Sequence, residues 1–199
     1  MGRARDIANV LSSSTNIALD SELGLSLITP TSIAVTGGSG SISSTGAISF
    51  TSATAISLNG CFTSTYKNYR IIINAKHAST TDLTFRVRAS GTDLSSAGAY
   101  IQGRYYVGVT SSIAAGSNNN TSDTSWTLNQ FTTAAGQATM DIANPQATEV
   151  TTALTIVAGG YFQILGQSLA TSNTTSYDGF TIISSGTMTG SVSVYGYRN

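Results

Sequence analysis

Along most of this 199-residue chain, apolar and polar residues alternate with a period of two, and that period constrains the fold more than any other feature. Leu83-Thr84-Phe85-Arg86-Val87-Arg88 is the clearest case: Leu83, Phe85 and Val87 face one way, and Arg86 and Arg88 the other. Short strands are expected at Ala47–Phe50 and Ala55–Leu58. Tyr69 to Lys76 carries Ile71, Ile72 and Ile73, a run suited to a central strand covered on both faces. Further strands are expected over residues 102–109, 125–131, 138–142, 151–157, 161–165, 178–183 and 188–197, with Gly159-Gly160 and Ser185-Gly186 as turns. Many short strands at near-regular spacing point to an all-β antiparallel sandwich or jelly-roll-like domain.

The start of the chain reads differently. Ala4, Ile7, Ala8 and Leu11 fall at helical spacing and make one apolar stripe, which a helix of this length needs a partner to stabilise. Residues 1–40 are therefore expected to form an extended N-terminal arm with a short helix. The glycine-rich Gly37-Gly38-Ser39-Gly40 then leads into a β-domain over residues 41–199, although it serves equally as a hairpin loop.

Charge narrows the function. Only 9% of residues are charged, nine basic against nine acidic, so nothing attracts a polyanion and nucleic acid is not an expected partner. Disorder is excluded in turn, because 40% of residues are hydrophobic and many favour strands. No apolar run approaches a membrane span, and no signal peptide is read at the start, so a soluble protein made in a cytoplasm is expected. The lone Cys61 is expected as a small buried side chain.

Catalytic groups are sparse. His77 is the only histidine, expected in a loop or facing solvent, and a Ser-His-Asp set built on it with Asp82 would arise by chance among so many serines. Asp82, Asp93, Asp123, Asp141, Glu149 and Asp178 are scattered, whereas a glycosidase needs two carboxylates across one cleft. No metal-ligand spacing or phosphate-binding loop is present, so no cofactor and no enzyme activity is expected. Two clusters suit a contact surface, since tyrosine and arginine combine area with hydrogen bonding. One is Tyr66, Lys67, Tyr69 and Arg70, and the other Tyr100, Arg104, Tyr105 and Tyr106. The plainer account is that tyrosine is a good strand former with its hydroxyl in water.

The opening Met1-Gly2-Arg3-Ala4-Arg5-Asp6-Ile7-Ala8-Asn9 resembles an N-terminal motif of fibre-like structural proteins of tailed phages, particularly cyanobacterial and marine ones. The closing Tyr177 to Ile183 and Gly190 to Tyr197 is similar to the C-terminal β-domain of the same group. The resemblance implies a virion protein, commonly a homotrimer, attached by its N-terminus to a tail adaptor or major capsid protein. The stripe Ala4, Ile7, Ala8 and Leu11 would dock on the particle, and residues 117–121 and 171–175 would touch a host glycan or protein. A short tail fibre, a capsid decoration or cement protein, and a polysaccharide-degrading or sugar-binding domain are the three alternatives.

Overall fold

A computed structural model describes residues 24–109, 113–159 and 163–198, and these form an all-β antiparallel sandwich. The strands are β1 (Leu25–Ile28), β2 (Ser32–Thr36), β3 (Ser39–Ile42), β4 (Ile48–Asn59), β5 (Asn68–His77), β6 (Thr81–Ala89) and β7 (Thr92–Asp93). They continue as β8 (Tyr100–Val109), β9 (Ile113–Asp123), β10 (Trp126–Phe131), β11 (Gly136–Ala143), β12 (Thr152–Gly159), β13 (Gln163–Thr171) and β14 (Gly179–Tyr197). No helix occurs among the described residues. The expected N-terminal helix, with Ala4, Ile7, Ala8 and Leu11, lies outside them.

The pairing registers show how one set of strands makes two layers. β14 is 19 residues long and pairs with β4 along its length, but on its other edge it pairs first with β6 and then with β5. β5 and β6 thus form one run, interrupted at residues 78–80 beside the irregularity of β14 between Ile183 and Met188. β10 and β11 likewise run along β6 and β5 and break at residues 132–135. β2 and β3 follow β4 and break at Gly37-Gly38, while β4 itself turns at Ser52, whose φ is 53°. Five neighbouring runs therefore bend at one level. Folding along that line gives an upper layer, β2-β4-β14-β6-β10, and a lower layer, β3-β4-β14-β5-β11. The lower layer then extends through β12, β13, β8 and β9, and β1 lies beside the end of β14.

The bend has local causes. A side chain at Gly38 would run into the Thr51 carbonyl, so only glycine lets β2/β3 cross the corner this close to β4. The amides of His77 and Ala78 leave the ladder and donate to the carbonyls of Thr132 and Thr187, at 2.7 and 2.9 Å. Between the layers the inward residues interlock as the alternation requires. Phe85 and Phe180 stack at 4.9 Å, Phe85 also stacks on Trp126 at 5.9 Å, and Ile71, Ile73, Met140, Val192 and Val194 form the opposing floor. Cys61 is buried in this core, as expected, and burial pushes its thiol pKa well up, leaving it a small apolar filler.

Several expectations change here. Residues 25–40 are not a free arm, because β1, β2 and the start of β3 are paired strands of the same domain, and Gly37-Gly38 is a corner within it. The two short strands at 47–58 are one bent strand, as are the two at 178–197. Residues 117–121, read as a polar receptor loop, pair within β9. Asn and Ser are poor strand formers, but the ladder with β8 overrides that preference.

Candidate functional site

Two loops meet at one end of the lower layer and enclose a groove of about 260 Å3. The first, Ser64 to Lys67, precedes β5; the second, Asn144 to Glu149, follows β11, and these strands are neighbours. Their closeness is therefore a consequence of register: Asn68 pairs with Ala143, and the Asn144 amide donates to the Lys67 carbonyl at 2.9 Å. Asn144 turns the chain with φ 55°, a left-handed conformation that asparagine tolerates better than most residues. The Ala147 amide closes that turn on the Asn144 carbonyl at 3.1 Å. Behind it, Gln146 Nε2 donates to Ser176 Oγ at 2.8 Å, Ser176 Oγ donates to the Gln146 carbonyl at 2.6 Å, and the Tyr177 amide donates to the Pro145 carbonyl at 2.7 Å. The second wall of the groove is thus braced from below.

Tyr66 supplies the aromatic wall. Its ring meets Tyr69 edge-on at 6.0 Å and lies against Gly196, where any Cβ would overlap it. Glycine at 196 is what lets the ring lie flat on β14. Ser64, Lys67, Asn144 and Gln146 surround it with hydroxyl, ammonium and amide groups, and the exposed Glu149 completes the lining. The groove holds one cation, one anion and one aromatic face.

Other sequence-read candidates separate. Tyr69 is fully buried, and its hydroxyl accepts from the Thr63 amide at 2.7 Å and donates to the Thr63 carbonyl at 2.6 Å. Tyr100 is fully buried as well, accepting from the Val87 amide at 3.1 Å and donating to the Leu94 carbonyl at 2.8 Å. Burial raises the pKa of both phenols. Neither is a surface contact; each secures a backbone segment instead. On β8, Tyr105 points outward and is 64% exposed, and Arg104 lies on the opposite face and is half-buried. Tyr106 pairs with Gly116 and Leu165, and its side chain is outside the described set.

Of the groups considered for catalysis, Glu149 lines the groove, and His77, Asp93, Asp123 and Asp141 are engaged elsewhere. His77 is buried at the corner, not in a loop: it stacks on Phe131 at 5.5 Å with Ser184 Oγ 3.4 Å from Nδ1, and burial lowers its pKa. Asp93 pairs with Arg88 at 2.9 Å, and Asp123 accepts from Gln102 and Asn120. Asp141 makes a two-pronged contact with Arg70, both bonds at 2.8 Å, and accepts from the Tyr197 hydroxyl. The Arg70 guanidinium holds the Asp141 carboxyl below its usual range, and burial together with Asp141 pushes Tyr197 up to about 12. Among the described residues, no three His, Cys, Asp or Glu side chains gather as a metal site would.

No protein-family model and no curated protein matches the chain. Among solved structures it is similar to domain 4 of AbnA, an extracellular GH43 arabinanase from Geobacillus stearothermophilus, in complex with arabinotriose. The TM-score is 0.40 at 11% identity, covering 89% of this chain and 96% of that one. Lectin II from Ulex europaeus follows at TM-score 0.23 and 11% identity, covering 87% and 97%. The Lotus tetragonolobus seed lectin gives 0.22 and 9%, covering 89% and 99%. Likenesses this loose assign neither a family nor a ligand to the chain.

Proposed function

We propose that this chain is a non-catalytic binding domain that grips a neutral, hydroxyl-rich ligand of the kind displayed on cell surfaces, a glycan. The observation that carries the reading is the groove around Tyr66, an aromatic face fixed by Gly196 and Tyr69 and ringed by short polar groups. A sugar ring offers C–H bonds on its face and hydroxyls on its edge. The first suit an aromatic plane, and the second suit amides that both donate and accept. Lys67 and Glu149 cancel, so the groove exerts no net pull on an acidic or basic chain. Its volume holds a sugar residue or two, which fits recognition of a chain end. The setting we propose is a host-contacting appendage of a virion, which the resemblance of the first nine residues supports.

Calorimetric titration of the protein with oligosaccharides from host envelopes tests this. Binding is expected, and Tyr66→Ala should weaken it about tenfold, a loss of about 1.4 kcal/mol. Lys67→Ala, at an exposed position, should weaken it without altering the thermal midpoint. Binding that ignores both substitutions, or no binding by any oligosaccharide, sinks the proposal. Release of reducing sugar during the titration would convert the domain into an enzyme.

A further inference from the structure

β12 reads Thr-Ala-Leu-Thr-Ile-Val-Ala-Gly, with apolar residues at both parities, as in a strand covered on both faces. Among the described residues only one face is covered. Ala153 and Val157 point into the sandwich, while Leu154 and Ile156 point out and are 57% and 58% exposed. Their neighbours across the sheet extend the apolar surface. Ile156 lies in register between Thr139 of β11 and Gly166 of β13, and Gly166 pairs in turn with Tyr105 of β8. Leu154 lies between Asp141 and Ser168, which pairs with Gly103. Ile101, 38% exposed, completes the far side. The result is a ridge of Leu154 and Ile156, a trough of Gly166, Ser168 and Gly103, and a second ridge of Tyr105 and Ile101.

We propose that this outward face packs against the same face of a second copy of the chain. Its extent fits. Five strands from β5 to β8 at about 4.8 Å spacing, and eight residues at about 3.4 Å, span roughly 24 by 27 Å. Such a plane, about 650 Å2 before the relief of its side chains is added, approaches the roughly 800 Å2 per partner of a stable interface. Its charge fits too. From β5 to β8 the charged side chains on the described outward face are Arg70 and Asp141, which neutralise each other, and Lys76 on the bordering strand β5, so the centre of the face carries no net charge to repel a second copy. A face that pairs with itself generates a two-fold dimer, in contrast to the three-fold assembly implied by the resemblance of the chain ends.

Light scattering on the full chain across a wide concentration series tests the proposal, with Leu154→Arg/Ile156→Arg and Ser168→Arg as variants. All three positions are exposed, so the fold should survive, and the trough variant remains informative if the double one does not fold. The wild type should approach twice the chain mass of 20.5 kDa, and both variants should fall to one chain mass with the thermal midpoint unchanged. A wild type that stays at one chain mass, an assembly of three, or an assembly that persists in the variants overturns it. The groove around Tyr66 is not part of this face, so glycan binding succeeds or fails independently.

Discussion

The folded half of the sandwich and the wing formed by β12, β13, β8 and β9 close their interiors by different chemistry. Where the five runs bend together, each layer faces the other, and the space between them fills with Phe85, Phe180, Trp126, Ile71 and Val192. Among the described residues the wing has no full layer above it; β10 crosses it, and one edge of β10 faces the wing without a described strand beside it. Two glutamines supply what that strand would have supplied: Gln102 Oε1 accepts from the Thr127 amide at 3.0 Å, and Gln167 Nε2 donates to the Thr127 carbonyl. Trp126 Nε1 donates to the Ala170 carbonyl at 3.1 Å, fastening the same strand one residue earlier. An edge that would otherwise be buried and unpaired is thus satisfied by side chains rising from the floor. The apolar half is held by non-directional burial and the wing by a few directional bonds, so they should fail differently.

The sharpest test of that contrast is at the centre of the folded half. Phe180 stacks on Phe85 at 4.9 Å, contacts Phe62 at 5.9 Å and is fully buried. Phe180→Ala should cost about 3–5 kcal/mol through lost burial and a residual cavity. The urea midpoint should fall for every probe together, because β14 belongs to both layers. A loss below about 1 kcal/mol would mean that the corner, not the aromatic stack, holds the layers together.

In the wing the expected loss is smaller and local. Gln102→Leu keeps the volume but leaves the Thr127 amide and the Asp123 carboxylate each without one partner, a cost of about 1–3 kcal/mol. Hydrogen exchange should quicken in β8 and β10 and change little in β14. Uniform quickening would show that the wing and the folded half open as one unit, and the contrast drawn here would collapse.

The same contrast decides what could be read from the sequence. In β6, Leu83, Phe85 and Val87 lie inward as their alternation requires, because a strand under a full second layer has one wet and one dry face. β9 escaped that reading. Its Ser and Asn residues look like a loop, and nothing local marks them as paired with β8. Tyr66 and Lys67 stand out in the sequence as candidate contacts, but Asn144, Gln146 and Glu149, which line the groove with them, lie some eighty residues away, joined through the β5–β11 register. Tyr69 and Tyr100 misled for a related reason: a phenol reads as a wet contact, yet here each hydroxyl satisfies a backbone amide and carbonyl within the core. His77 sits two residues past Ala75 on the inward parity of β5, so alternation placed it inside, whereas its polarity suggested solvent.

The outer surface should respond least. In the single chain Arg70 and Asp141 face solvent on neighbouring strands, with side chains 35% and 39% exposed, so there their pairing contributes about 0–1 kcal/mol. Asp141→Asn should therefore barely move the urea midpoint at neutral pH. Its effect appears in two titrations. Because Arg70 lowers the Asp141 pKa in the folded protein, the pair's contribution is present above the ordinary value of 3.8 and is lost as pH falls through the folded value. Asp141→Asn should remove that part of the acid dependence. At the alkaline end, Tyr197 titrates near 12 because it is partly buried and because ionising it beside Asp141 sets two negative charges together. With asparagine there, the repulsion and the hydrogen bond to a carboxylate go, while burial still raises the phenol and Arg70 still lowers it, so the absorbance titration of Tyr197 should shift down from about 12. An unchanged titration would mean that burial alone sets the phenol. A large drop in the urea midpoint would mean that this surface pair holds β5 to β11 as firmly as the core does, erasing the difference between inside and outside.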